Sequence, residues 1–285
     1  VLYLKEQKKE YRTLKLYGQE LNLITSAIAR MNMFMHNIDE FLVVQGDTLD
    51  SPQILENDEL KKFDVIMANP PYSIKRWSQA KWMNDPYGRN IWGTPPQGCA
   101  DYAFQQHIMK SLNPETGRCV VLWPHGVLFR DSEAEIRNKM IEGDFVDAVI
   151  GLGKNLFYNS SMESCLLICR MKKPKERKGK IIFIDAKEEI RIERSAAYLK
   201  PEHIKRIADT YWKFKDVEGF AKTVSNKEVL SEQKGNLSIQ LYVKQENNSV
   251  EHEIDHLLEL TKNNQIELNS NIDNLFKQLK SLGIE

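Results

Sequence analysis

Short apolar runs alternate with helical patterns through most of the chain, and this alternation limits the available folds more than any other feature. The runs with the length of buried strands are residues 15–20, 41–44, 63–68, 119–123 and 181–185. Helical spacing appears between and after them, for instance in residues 23–35 and 201–214. Strands separated by helices predict a parallel α/β sheet. Residues 145–152 and 164–171 share a short connection, which predicts a final antiparallel hairpin.

Charge and cysteine content narrow the class of protein. Lys plus Arg and Asp plus Glu each number 40, so the formal net charge is zero. A chain that gripped DNA alone would usually be basic, which favours a partner as the source of strong DNA binding. The 4 cysteines form no CxxC pair or Cys/His cluster. We therefore predict no metal site and a reducing, cytoplasmic location. No apolar run approaches the roughly 20 residues that span a bilayer.

The most informative motif is Asn69-Pro70-Pro71-Tyr72, called the NPPY turn below, directly after the strand at residues 63–68. The two prolines fix φ and remove two backbone donors, so the turn is stiff. Open α/β sheets bind ligands at the carboxyl ends of their strands. The alternative for this motif is an ordinary proline-stiffened turn.

The residue types in the NPPY turn suit chemistry at an amino group on a planar ring. The Asn69 amide oxygen and the Pro70 carbonyl can each accept one N–H of such an amino group. This geometry favours a tetrahedral nitrogen whose lone pair can attack a methyl group. Tyr72 offers a ring on which a base flipped out of its duplex can stack. We therefore predict Asn69, Pro70, Pro71 and Tyr72 as catalytic residues.

Acidic residues end two of the earlier predicted strands. Glu20 closes the first, where a carboxylate can accept both hydroxyls of a ribose. Asp47 follows the second, where it can accept from the amino group of an adenine. Either acid alone could be a helix cap or a solvated turn. Their order before the NPPY turn favours a role in binding a cofactor.

Residues 73–98 form a long polar and aromatic stretch without a clear period. Loops of this length are usually functional or mobile. Basic and aromatic residues interleave at Lys75, Arg76 and Trp77, which predicts contact with nucleic acid, the alternative being a solvated loop. His125 could likewise lie near a base pocket or be an ordinary histidine at a strand end.

These motifs together resemble the modification (methyltransferase) subunits of type I restriction-modification systems, an N6-adenine DNA methyltransferase family. The resemblance covers about residues 10–245. The segments that carry it are residues 16–20, 31–33, 46–49, 63–73, 100–104, 124–130, 155–158, 178–180 and 183–186. It implies a Rossmann-like sheet for S-adenosylmethionine-dependent methylation, ending in the antiparallel hairpin.

The resemblance also implies roles and partners. Asn69, Pro70 and Tyr72 would hold the target adenine, and Glu20 and Asp47 would hold S-adenosylmethionine. The implied activity is site-specific adenine-N6 methylation of DNA. In that family two modification subunits surround a specificity subunit that reads the DNA, sometimes with a restriction subunit.

One departure from the family pattern concerns the cofactor. The family's Gly-rich loop, which follows its first strand and cradles the methionine end of S-adenosylmethionine, has no counterpart in this sequence. We therefore expect an N-terminally truncated chain that by itself binds the cofactor weakly or not at all and does not methylate. The alternatives are methylation of adenine in RNA, methylation of a protein glutamine, and a non-catalytic subunit fragment.

The chain is predicted to have two parts, a methyltransferase domain at residues 1–245 and a C-terminal helix at residues 246–285. Apolar residues of the tail follow four- and three-residue steps, with Thr261 and Gln265 in the polar gaps. They are Ile254, Leu258, Leu268, Ile272, Leu275, Leu279 and Leu282. This spacing is typical of a coiled-coil seam. The helix would contact a partner subunit or pack back on its own domain.

Overall fold

The computed structural model describes residues 1–11, 13–157, 161–193 and 196–244, with residues 261–262, 264–265, 268–269 and 271–272 of the tail. The chain divides into two compact units, Val1–Lys244 and Gln245–Glu285. In the second unit the described residues are helical, and most of the predicted seam lies outside them. The coiled-coil contact therefore stays a prediction.

The first unit contains the secondary structure that positions the site. Its strands are β1 Leu16–Glu20, β2 Phe41–Gln45, β3 Leu55–Glu56, β4 Glu59–Leu60, β5 Val65–Ala68, β6 Arg118–Pro124, β7 Val146–Leu152, β8 Ser164–Arg170, β9 Lys180–Ala186, β10 Arg191–Glu193, β11 Ala196–Tyr198 and β12 Ala221–Ser225. Its α-helices are α1 Leu2–Glu6, α2 Leu23–Met35, α3 Gln79–Met83, α4 Asp101–Lys110, α5 Ala134–Glu142, α6 Pro201–Lys213 and α7 Asn226–Ser231. Among the described residues, no helix is both long and apolar enough to cross a membrane.

Six strands form the main sheet, in the order β12-β9-β7-β8-β6-β5. Strand β5 runs parallel to β6, and β7 runs parallel to β9. Strand β8 is antiparallel to both β6 and β7, between which it lies. The predicted Rossmann-like sheet with an antiparallel hairpin is confirmed. Because β5, β6, β7 and β9 point the same way, their carboxyl ends share one edge of the sheet.

The core lies on both faces of this sheet. Alternate residues of β9 separate onto the two faces, with Ile181 and Phe183 on one and Ile182 and Ile184 on the other. This period of two is the ordinary alternation of a strand. Helix α5 packs on the first face and α6 on the second, which explains why β7 and β9 carry apolar residues on both faces.

A smaller parallel sheet, β1-β2, lies outside the six-stranded one, and α2 connects its strands. Helix α2 begins at Asn22, whose side chain accepts the Ile24 and Thr25 N–H groups. Ser26 is its single buried residue. The large apolar residues that α2 exposes are Leu23, Ile24, Ile28, Met31, Phe34 and Met35. The apolar face that the sequence predicts therefore exists, but the described residues leave it uncovered.

Two details differ from the sequence-based expectation. The sequence predicts a helix over residues 131–142 with Asp131 or Ser132 as its N-cap, but Asp131–Glu133 is a 3-10 turn and α5 begins at Ala134 without a side-chain cap. This prediction was wrong because Glu133 turns inward to Arg130. Strand β12 was not expected, since Ala221–Ser225 has one antiparallel neighbour and little apolar pattern.

Candidate active site

The NPPY turn follows β5 at the edge of the sheet where the parallel strands end. Asn69 and Pro71 are exposed, and Tyr72 is half-buried. The Tyr72 ring packs against the main core, with its centroid 6.3 Å from that of buried Trp123. One side of the turn is thus anchored, and the Asn69 amide remains open to solvent.

Asn69 and Tyr72 contact each other directly. The Tyr72 hydroxyl donates to Asn69 Oδ1 at 2.6 Å. Burial raises the pKa of the Tyr72 phenol above its ordinary value, and nearby Cys165 and Asp101 add to the increase. The phenol therefore stays a donor at neutral pH. An amide oxygen has two lone pairs, so Asn69 can accept a second hydrogen bond.

A buried ionic cluster lies next to the turn. Asp101 opens α4 and is fully buried, and its Oδ1 accepts the Ser73 N–H at 2.6 Å. Its Oδ2 accepts from Arg130 Nη2 at 2.5 Å and from Cys99 Sγ at 3.1 Å. Arg130 Nε donates to Glu133 Oε2 at 2.6 Å.

Cys99, Asp101 and Glu133 offer possible metal-ligand atoms within 4.8 Å of one another. The Arg130 guanidinium bonds both carboxylates, so it already supplies the positive charge that a cation would bring. Burial raises the pKa of the Cys99 thiol to about 12, which keeps it protonated. The cluster is therefore explained as an ion-pair network without a metal.

The two predicted cofactor acids lie at the carboxyl ends of neighbouring parallel strands, β1 and β2. Glu20 Oε1 accepts the Asn22 N–H at 2.8 Å. Asp47 is exposed, and its Oδ1 accepts the Leu49 N–H at 2.9 Å and the Asp50 N–H at 3.2 Å. One carboxylate oxygen of each acid is thus committed to its own loop. The second carboxylate oxygen of each acid makes none of these local hydrogen bonds, and the cofactor role of the two acids stays a prediction.

Residues 73–98 form a packed, hydrogen-bonded segment rather than an open loop. Its centre is Arg89, a buried residue whose guanidinium bonds Asp85 Oδ1 at 2.6 and 2.9 Å. The same guanidinium donates to the Thr48 and Leu49 carbonyls at 2.7 and 2.8 Å. It also stacks over the buried Trp82 ring at 4.8 Å. Arg89 therefore fastens this stretch to the segment that follows Asp47.

A cavity of about 480 Å³ lies between these two segments. It is lined by Leu49, Asp50, Ala80, Lys81, Trp82, Asn84, Asp85, Pro86, Tyr87 and Arg89. Asp50 closes part of its rim, because Asp50 Oδ1 accepts from Lys81 Nζ at 2.6 Å and from Ser78 Oγ at 2.8 Å. The cavity lining therefore combines the exposed charged residues Asp50 and Lys81 with the buried Trp82 ring.

The three residues predicted to contact nucleic acid have different surroundings. Lys75 and Arg76 are exposed. Trp77 is half-buried, its ring 6.0 Å from that of Trp82, and its indole N–H donates to the Gln97 carbonyl at 3.1 Å. The Lys75 and Arg76 side chains are available to phosphates, whereas the Trp77 indole packs against other residues of the 73–98 segment. The nucleic-acid role of all three stays a prediction.

His125 begins a 3-10 turn at the end of β6. Its Nε2 lies 3.1 Å from the Ser164 carbonyl, and its Nδ1 lies 4.0 Å from Glu163 Oε2. A cavity of about 180 Å³ adjoins it, with Gly151 and Asp185 in the lining. His125 is therefore at the same sheet edge as the NPPY turn, but it is hydrogen-bonded within the β6–β8 pair.

Sequence reasoning did not single out Asp101, Arg130 and Arg89 as site residues. Asp101 and Arg130 are hard to find because they are 28 and 57 positions from Ser73 in the sequence. Ser73 itself contributes only a backbone group to the contact. For Arg89, the available signal was its place among aromatic residues in a long stretch, which also fits a solvated loop.

Comparison with known proteins gives a family. Residues 2–251 match the model of the N-6 DNA methylase family. The chain is 33% identical over 240 residues to the type I restriction enzyme MjaVII methylase subunit of Methanocaldococcus jannaschii, covering 80% of this chain and 40% of that protein. It is 32% identical over 286 residues to the MpnII methylase subunit of Mycoplasma pneumoniae, covering 96% and 52%. The chain thus spans about half or less of these relatives' own length.

Solved structures agree with this. The type I restriction-modification methyltransferase subunit of Streptococcus thermophilus superposes with a TM-score of 0.77 at 33% identity, covering 85% of this chain and 52% of that one. A modification subunit of a putative type I restriction enzyme from Vibrio vulnificus shares the fold, with a TM-score of 0.59 at 20% identity over 75% of this chain and 44% of that one. The resemblance predicted from the sequence is confirmed, and the chain belongs to the N-6 DNA methylase family.

Proposed function

We propose that this chain provides the target-base site of an enzyme that methylates N6 of adenine in specific DNA sequences. The observation that carries the proposal is the exposed NPPY turn at the carboxyl end of β5, with Asn69 Oδ1 and the Tyr72 hydroxyl in contact. The relatives named as type I methylase subunits support this activity over the alternatives of RNA adenine or protein glutamine.

The residues of the turn would hold the adenine that has left its duplex. Asn69 Oδ1 and the Pro70 carbonyl accept the two N–H bonds of the amino group, which draws the nitrogen toward a tetrahedral geometry. Its lone pair then points away from the two acceptors. The Tyr72 ring stacks against the base, an interaction typically worth about 1–3 kcal/mol. No general base has to remove a proton before the amino nitrogen attacks the methyl group, because the nitrogen can lose its proton afterwards.

S-adenosylmethionine would supply the electrophilic methyl group. Glu20 and Asp47 are the residues of this chain that would hold its adenosine part, since each has a carboxylate oxygen beyond those committed to local N–H groups. The Arg89 contacts to the Thr48 and Leu49 carbonyls would keep the Asp47 segment in place. Holding the donor and acceptor in one geometry is a large part of such catalysis.

We also propose that DNA binding is shared with other subunits. The neutral net charge supports this, because phosphate contacts dominate affinity for DNA. Exposed Lys75 and Arg76 would contact the strand near the flipped base, beside Trp77. Partners would be a specificity subunit and a second modification subunit, with a restriction subunit in some assemblies. The helix predicted for residues 246–285 would contact one of them.

The test is transfer of radiolabelled methyl from S-adenosylmethionine by the complete methyltransferase assembly. DNA, RNA and protein substrates are supplied separately, and the position of the label is read by nucleoside analysis. We expect N6-methyladenine in DNA, and we expect Asn69→Ala to lower the transfer rate at least about 100-fold, as loss of one preorganised hydrogen-bonding group typically does. Asn57→Gly, at an exposed turn with positive φ, is the matched control. Label in RNA or in glutamine would refute the proposal.

A further inference from the structure

The NPPY turn ends in a backbone conformation that needs support. Ser73 has a φ of +50°, in the left-handed region that residues with a side chain rarely adopt. The preceding prolines lack N–H groups, so the turn has few donors with which to hold itself. Its Ser73 N–H donates to Asp101 Oδ1 at 2.6 Å. That bond fixes the point where the chain leaves Tyr72.

Asp101 is itself held rigidly. It is fully buried, and its second oxygen accepts from Arg130 Nη2 at 2.5 Å. Glu133, also fully buried, accepts from Arg130 Nε at 2.6 Å. A Cβ on Gly126 would lie 2.8 Å from Arg130 Nη1, so the glycine makes room for the guanidinium. Three segments, after β5, after β6 and at the start of α4, thus meet at one carboxylate.

We propose that Asp101 is the positioning residue of the NPPY turn, acting through the Ser73 N–H and kept in place by Arg130. The inference rests on the proposed function and deepens it, because it explains how Asn69 Oδ1 and the Pro70 carbonyl are held in position toward the amino group. The carboxylate serves the turn with one oxygen and Arg130 with the other. An asparagine cannot do both, since its amide has one accepting oxygen and presents N–H donors in place of the second.

A second ionic network provides a matched comparison at the opposite end of the strands, where the parallel strands of the sheet begin. Asp147, near the start of β7, is fully buried. Its Oδ2 accepts from Arg170 Nε and Arg177 Nη1, each at 2.9 Å, and from the Tyr211 hydroxyl at 2.6 Å. Its loss should cost stability like that of Asp101, because both substitutions disturb a buried, paired carboxylate. It should leave the turn unchanged.

The test compares Asp101→Asn with Asp147→Asn in the complete assembly. The single-turnover rate of methyl transfer, the Kd values for S-adenosylmethionine and DNA, and the Tm are measured for each. We expect Asp101→Asn to lower the transfer rate at least about 30-fold, or about 2 kcal/mol, with Kd values within about threefold of the unaltered protein. We expect Asp147→Asn to lower the Tm but to keep the transfer rate within about threefold.

A second variant addresses a failure of Asp101→Asn to fold. Replacing Ser73 by its α-hydroxy acid analogue deletes the N–H and leaves Asp101 and Arg130 intact, and the same loss of rate is expected. Fluorescence of 2-aminopurine at the target position reports whether the base still enters the site. Transfer within threefold of normal in either Asp101→Asn or the ester variant would overturn the inference, as would equal rate losses in Asp101→Asn and Asp147→Asn. An unaltered assembly that methylates no adenine would instead refute the proposed function, and the inference with it.

Discussion

The six-stranded sheet and the β1-α2-β2 region of the same unit are built very differently. Strand β7 is buried along its whole length, and both faces of the sheet are covered by helices. In α2, by contrast, one residue is buried, and Ile24 and Met35 are 70% and 76% exposed. Hydrophobic periodicity therefore predicts an element and its apolar face, but not what covers that face.

The β5 edge of the main sheet is also partly uncovered within the described residues. Strand β5 pairs with β6, and within the described residues it has no second neighbour. Its Met67 is 80% exposed. The NPPY turn therefore follows a strand that one neighbour supports, which increases the importance of side-chain contacts such as that of Asp101. Four substitutions test this contrast between the two regions.

The largest effect is expected at Arg89, which joins the two regions. Arg89→Ala should lower the free energy of unfolding by about 3–5 kcal/mol, because it leaves the buried Asp85 carboxylate unpaired and removes the bonds to Thr48 and Leu49. Urea denaturation measures the loss. Arg76→Ala, at an exposed cation of the same stretch, should change the free energy by less than about 0.5 kcal/mol. Equal values would contradict a joining role for Arg89.

A core substitution in the main sheet should come next. Ile150 in β7 is 3% exposed, and Ile150→Ala should cost about 2–4 kcal/mol through lost burial and a residual cavity. The midpoint of urea denaturation should fall while the slope stays constant. A cost below about 1 kcal/mol would show that this face of the sheet is less well packed than the burial of β7 indicates.

His107 should make the stability depend on pH. Burial lowers its pKa to about 3, and the Arg89 charge adds to the decrease. The folded state therefore keeps a neutral ring while the unfolded chain takes up a proton below about pH 6.5. Stability should be fully present above that pH and decline toward pH 3, by about 1–3 kcal/mol between pH 6.5 and 4. In His107→Gln this decline should be smaller, and an unchanged pH profile would contradict the assignment.

The smallest effect is expected on the exposed face of α2. Ile28 is 62% exposed, and Ile28→Ala should change the free energy of unfolding of this chain by less than about 0.5 kcal/mol. It is the direct counterpart of Ile150→Ala, since the same atoms are removed from the other region. A cost near 2 kcal/mol would mean that the face is covered in solution, and the contrast between the regions would fail.

Much of the fold followed from local pattern. The range of α2 was predicted to the residue, and the antiparallel β7–β8 pair followed from the short connection between two apolar runs. Strand β12 was missed because Lys222, Thr223 and Ser225 are polar, so the strand has no apolar run. The start of α5 was wrong because a tertiary contact, Glu133 with Arg130, overrides the capping preference of Asp131.

The site was predictable only in part, for a similar reason. The NPPY turn could be recognised because its residue types and its place after a strand are both visible in a short segment of the sequence. Asp101 could not be found in that way, since its partner in the turn is a backbone N–H with no sequence signature. Arg89 also depends on backbone carbonyls, those of Thr48 and Leu49. Side chains that serve distant main-chain groups are the part that a single sequence conceals.

The hydrogen bond between the Tyr72 hydroxyl and Asn69 Oδ1 has a consequence for turnover. Under the proposed reaction, an incoming adenine brings two N–H groups and can engage both acceptors of the turn. The methylated product retains one N–H, so one acceptor loses its partner when the nitrogen releases its proton after the new carbon–nitrogen bond has formed. The phenol can then satisfy Asn69 alone. The turn thus favours departure of the product without any movement of the sheet that carries it.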